Sequence, residues 1–67
     1  MSKLFSSEQI VKTLLKFGFK FVSQRGSHQK YSKDGHTVIV PSPRKEIPTG
    51  TFRSIVRQSG LSIKDFH

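Results

Sequence analysis

The sequence predicts an α+β fold in the order α-β-β-β-α, a three-stranded antiparallel sheet with both helices packed on one face. Three observations carry this expectation. An apolar stripe at helical spacing follows a capping signal at Ser6, an Asp34-Gly35 pair separates two strand-like runs, and a second apolar stripe lies between Thr49 and Gly60. With 67 residues, the whole chain (1–67) makes one small domain.

The first helix is expected from Ser7 to Phe17. Ser6 and Gln9 have capping-box spacing, and Glu8 suits the positive end of the helix dipole. Ile10, Val11, Leu14, Leu15 and Phe17 then form an inward stripe, with Lys12 and Lys16 on the other side and Gly18 as the stop. Phe19 to Gln24 is aromatic and β-branched enough for a strand, with Phe19 and Phe21 on a side that excludes Val22. Arg25-Gly26-Ser27 turns the chain into a second strand, His28 to Lys33. Asp34-Gly35 then makes a two-residue hairpin, since both residues tolerate positive φ. The third strand is His36 to Val40, ended by Pro41 and Pro43, which have no N–H for a ladder.

This hairpin fixes which residues share a face. It pairs Tyr31 with Val38 and Gln29 with Val40, and directly opposed residues point the same way. Tyr31, Val38 and Val40 are therefore the core side, and His28, Lys30, Ser32, Thr37 and Ile39 lie on the other. After an irregular connection through Arg44 and Lys45, the second helix begins at Thr49 or Gly50. It buries Phe52, Ile55 and Val56, turns Arg53 and Arg57 outward, and closes at Gly60. A last turn capped by Ser62 ends the chain.

Charge narrows the function. Twelve Lys and Arg oppose four Asp and Glu, a net +8, spread along the chain rather than in a tail. A folded cationic surface of this kind points to a polyanion, with nucleic acid the foremost class. Neither helix carries Asn, Gln and Arg at major-groove spacing, which ranks DNA below RNA. There is no cysteine, so disulfides and thiolate–metal sites are excluded, and a reducing cytoplasm is the expected location. No apolar run approaches the roughly 20 residues of a membrane span, and the first residues lack a secretion signal.

Chemistry concentrates in Arg25-Gly26-Ser27-His28-Gln29-Lys30-Tyr31, which joins a flexible turn, a hydroxyl, an imidazole and two cations. The four carboxylates are too scattered for a two-metal nuclease, and no four-ligand zinc site or P-loop is present. Metal-free acid/base work by a histidine remains. An unperturbed histidine exchanges protons at about pH 6.5, and RNA carries its own nucleophile, the 2′-hydroxyl. The expected products are a 2′,3′-cyclic phosphate (or the 3′-phosphate after hydrolysis) and a 5′-hydroxyl. The competing reading is an RNA-binding module of the same fold without catalysis.

The ordered set Leu14-Leu15, Gly18-Phe19, Gly26-Ser27-His28, Tyr31, Val40-Pro41, Lys45-Glu46-Ile47, Gly50-Thr51, Ile55 and Gly60-Leu61 resembles the HicA family of bacterial toxins. These are small mRNA-cleaving enzymes with a double-stranded-RNA-binding-domain-like fold. The resemblance implies an endoribonuclease (mRNA interferase) of a toxin–antitoxin system, with His28 as its catalytic histidine and no metal or other cofactor. It also implies a HicB-type antitoxin partner that covers the active surface. Arg25, Gly26, Ser27, Lys30, Arg44, Lys45 and Arg53 are the expected RNA-binding residues. Many family members have histidine two residues beyond the Val-Pro proline. Here that position is Pro43, followed by Arg44, which leaves the second acid or base unassigned.

Overall fold

The computed structural model describes residues 4–67. Met1 to Lys3, which open the segment expected to lack a secretion signal, lie outside the described residues. The elements run α1 (Ser7–Lys16), β1 (Lys20–Arg25), β2 (His28–Lys33), β3 (His36–Pro41) and α2 (Thr49–Ser59), followed by a short 3-10 helix (Ile63–Phe66). The strands form one antiparallel sheet in the order β1-β2-β3. This is the α+β arrangement that the sequence predicts.

Local chemistry sets the boundaries. Ser6 accepts from the Gln9 backbone N–H at 3.1 Å, and the Gln9 side chain accepts from the Ser6 N–H at 2.9 Å, so both orphan donors are satisfied. At the other end of α1, the Lys33 ammonium donates to the Phe17 carbonyl at 2.6 Å, where a cation suits the negative helix terminus. Asp34 and Gly35 both have positive φ, 47° and 84°, the backbone that a two-residue hairpin demands. Gly60 ends α2 at φ 73°, and a Cβ there would lie 2.7 Å from the His36 ring, so sterics and backbone both require glycine. The Ser62 backbone N–H, then its hydroxyl, bind the Asp65 carboxylate and hold its pKa below the usual range.

The core is Ile10 and Leu14 from α1, Phe19, Tyr31, Val38, Val40, Ile47, Ile55 from α2, and Phe66. Both helices and the 3-10 helix therefore cover the face bearing Tyr31, Val38 and Val40, as the hairpin register requires. Burial pushes the Tyr31 phenol upward in pKa, and its hydroxyl donates to Gln29 Oε1 at 2.8 Å. Phe5, Phe52 and Phe66 extend the core as an aromatic run with centroids 5.0 and 5.5 Å apart.

Three expectations are corrected. Leu15 is half exposed, because the apolar stripe of α1 is narrower than its sequence suggests and only Ile10 and Leu14 reach the centre. The first strand does not hold Phe19, which is buried just before it. All six residues of β1 are exposed, including Phe21 and Val22 at 53% each. Helix contacts concentrate on β3, at the far edge of the sheet, so β1 gains little cover. Finally, Pro41 does not stop pairing. It belongs to β3, and Ser42 still donates to the Ser27 carbonyl at 2.6 Å. Residues of the same parity as Pro41 point their N–H outward, as Ile39 does toward Gln58 Oε1 at 3.1 Å, so the missing proline donor costs the ladder nothing.

Candidate functional site

The sheet face away from the helices carries His28. It opens β2, directly after the Gly26-Ser27 turn, and pairs with Arg25 on one side and Pro41 on the other. Its side chain is exposed. Lys30, two residues on, shares the face and pairs with Ser23 and Ile39.

A β-bulge decides which β1 residues join them. Phe21 pairs with Tyr31 but Ser23 pairs with Lys30, so Val22 is an extra residue. Phe21 stays on the helix side, its ring edge-on to Tyr31 at 5.7 Å. Strict alternation from Phe21 would put Ser23 and Arg25 on that side too. The bulge shifts the phase by one, sending both to the open face beside Lys30 and His28. Gln24 correspondingly reaches the helix side, where its Oε1 accepts from Gln29 Nε2 at 3.3 Å.

Two shallow hollows meet at His28. One, of about 280 Å³, is lined by Ser23, Arg25, His28, Lys30 and Ile39. The other, of about 320 Å³, lies between β3 and α2 and is lined by His28, Ile39, Pro41, Arg44, Thr51, Ser54, Ile55 and Gln58. The imidazole is thus flanked by Arg25 and Lys30 on one side and by Arg44 on the other.

Arg44 is held there by long-range backbone contacts. The buried Ser7 donates its N–H to the Arg44 carbonyl at 2.9 Å, and its Oγ accepts from the Arg44 N–H at 3.0 Å. Ile47 N–H donates to the Phe5 carbonyl at 2.7 Å, and the Ser42–Ser27 bond ties the other end to the glycine turn. The connection from β3 to α2 is therefore clamped at three points around the site.

The remaining expected residues spread out. Gly26 and Ser27 form the turn, with Gly26 at φ 58°. Lys45 lines a third and larger hollow together with Arg44, on the α1 side. Arg53 is exposed on α2 and lines neither hollow beside His28. Thr51, Ser54 and Gln58, polar neighbours of the His28 hollow, are not among the RNA-binding residues expected from the sequence, because only the docking of α2 against the β3 edge brings them there. His36 lies away from His28, its Nδ1 3.1 Å from the Gln58 carbonyl. Among the described residues no three His, Asp or Glu side chains gather in ligand geometry. No helix among them is long and apolar enough to cross a membrane.

Compared with known families, residues 7–61 match the model described as HicA toxin of bacterial toxin-antitoxin systems. The chain belongs to the HicA toxin family. The match covers every element from α1 to the end of α2, and so includes the whole site. A comparison with curated proteins gives no match. As a HicA-family member, the protein is the toxin of a toxin–antitoxin system, and family membership implies an antitoxin partner.

Proposed function

We propose that this HicA-family toxin is a metal-independent endoribonuclease that cleaves mRNA, with His28 as its general acid/base. The observation that supports this reading is the exposed imidazole where two hollows meet, flanked by the guanidinium and ammonium groups of Arg25, Lys30 and Arg44. A phosphodiester backbone laid across the open face meets cations on both sides of a proton-transfer group.

The steps follow from that placement. An imidazole nitrogen of His28 takes the proton of a ribose 2′-hydroxyl. The 2′-oxygen attacks the adjacent phosphorus, and the bond to the 5′-oxygen breaks. That oxygen leaves as a 5′-hydroxyl after receiving a proton, and the other product ends in a 2′,3′-cyclic phosphate. Arg25, Lys30 and Arg44 offset the negative charge that builds on the non-bridging oxygens. Lys45 and Arg53 extend the phosphate contacts beyond the reacting bond, and Gly26 and Ser27 let the backbone approach closely. The antitoxin, a HicB-type protein, silences the enzyme by covering this face.

A non-catalytic RNA-binding module needs the same cations but no imidazole, so His28→Ala separates the two readings. The variant is expected to keep its fold and RNA affinity while losing about 10²–10⁴-fold in cleavage rate, the usual share of general acid–base catalysis. Growth arrest should disappear with it. Cleavage at the wild-type rate would refute the role given to His28.

A further inference from the structure

We propose that the hollow between α1 and the β3–α2 connection is a guanine-binding subsite, which holds the base of a nucleotide flanking the scissile bond. This rests on the reading of the protein as an RNA-cleaving enzyme and adds to it a base preference that cationic contacts alone cannot supply.

This hollow is larger than either one beside His28. It is an open hollow of about 680 Å³, within the usual size of small-ligand pockets, about 300–1,000 Å³. Arg44 lines both this hollow and the one between β3 and α2 that His28 also lines. A strand whose phosphate rests on Arg44 therefore has His28 on one side and this hollow on the other. The two hollows share Arg44 as a wall.

The lining suits a base rather than a phosphate. Val11, Pro43 and Tyr31 supply apolar lining, and Glu8, Arg44 and Lys45 bring charge to it. Glu8 is the one carboxylate among the described residues that line it. The chain has only four Asp and Glu. Two of these have local structural tasks, Asp34 in the hairpin turn and Asp65 in the Ser62 cap. A carboxylate repels phosphates, so Glu8 marks a place where the strand presents something else. Ser6 and Gln9 make the capping box of α1, and the exposed Glu8 side chain, in the first turn where a carboxylate suits the helix dipole, makes no capping hydrogen bond.

Donor and acceptor matching selects the base. Guanine alone offers two adjacent donors, N1–H and the 2-amino group, on its Watson–Crick edge, a match for the two oxygens of Glu8. Its O6 and N7 are adjacent acceptors for Lys45, which leaves Arg44 to the phosphate. Adenine and cytosine set an acceptor beside their amino group, and uracil flanks one N–H with two carbonyls. Each of these turns a lone pair toward the carboxylate. Single-stranded RNA read by splayed-out bases is the substrate class that such a pocket fits.

The test is an NMR titration of the 15N-labelled protein, wild type and Glu8→Gln, with 3′-GMP and 3′-UMP. In the wild type, Val11, Tyr31 and Lys45 amides should shift, with 3′-GMP binding at least about fivefold tighter than 3′-UMP, the lower bound for one bidentate contact. In Glu8→Gln, a side chain of the same shape, the two nucleotides should bind within about twofold of each other. Equal affinities in the wild type, an unchanged ratio in the variant, or shifts confined to His28, Lys30 and Arg44 would overturn the subsite. So would a variant whose nucleotide preference is intact but whose antitoxin binding is weakened, which assigns the hollow to a protein partner. The titration reads binding without turnover. Guanine preference in a protein that leaves RNA uncut would refute cleavage and keep the subsite. Cleavage in a protein blind to the base would refute the subsite alone.

Discussion

The two faces of the same sheet are built from alternate residues of the same strands, yet they answer to different demands. On β2, Tyr31 points into the helix-covered face and is 4% exposed, whereas His28 and Lys30 point to the open face and are exposed. The covered face is closed by Ile10, Leu14, Ile55 and Phe66, and its worth lies in apolar area removed from water. The open face holds cations and an imidazole at shallow hollows, and its worth lies in what remains accessible. A strand's period of two lets one segment serve stability and chemistry at once, provided that the register never slips.

Substitutions can break this division from either side. The largest effect is expected from Leu14→Ala on the covered face. Leu14 is fully buried, and truncation should cost about 2–5 kcal/mol, a large part of what a domain this small possesses. Thermal denaturation would register it as a fall in Tm of many degrees. Its counterpart on the open face, Lys30→Ala, should leave stability within about 0.5 kcal/mol. It should instead lower the salt slope of RNA binding by about one. Equal losses of stability from the two would erase the distinction.

An intermediate effect sharpens it. Ser7 is buried on the helix side but fixes Arg44, which lines the hollow on the site side. Ser7→Ala removes the acceptor for the Arg44 N–H and should cost about 1–3 kcal/mol by chemical denaturation. It should also reduce cleavage more than that loss of folded protein explains. A variant with reduced stability and wild-type turnover per folded molecule would show that the clamp positions nothing.

Much of this plan is legible in the sequence because its signals are local. Ser6 with Gln9, Asp34-Gly35 and Gly60 each act within a few residues, and the structure uses each as the sequence suggests. The facing of Tyr31, Val38 and Val40 follows from the hairpin alone. What stays hidden is long-range. Ser7 and Arg44 are 37 positions apart, and nothing near either residue announces the other. The bulge at Val22 has no glycine or proline to mark it, and without it Arg25 reads as facing away from His28. Phe21 and Val22 look like core by composition, but they sit on the strand farthest from the helices, where there is nothing to bury them. The sharing of Arg44 between hollows depends on the packing of α1, α2 and the connection together.

On the proposed mechanism, an exposed histidine on the open face lets a transcript cut itself through its own 2′-oxygen. The most direct measurement is the end chemistry of an RNA strand incubated with the purified toxin in excess chelator, beside the same strand carrying one 2′-deoxy nucleotide at the cleavage position. That mechanism requires 2′,3′-cyclic phosphate and 5′-hydroxyl ends from the first and no cut at the substituted position in the second. Cleavage of both strands to 5′-phosphate ends would contradict it.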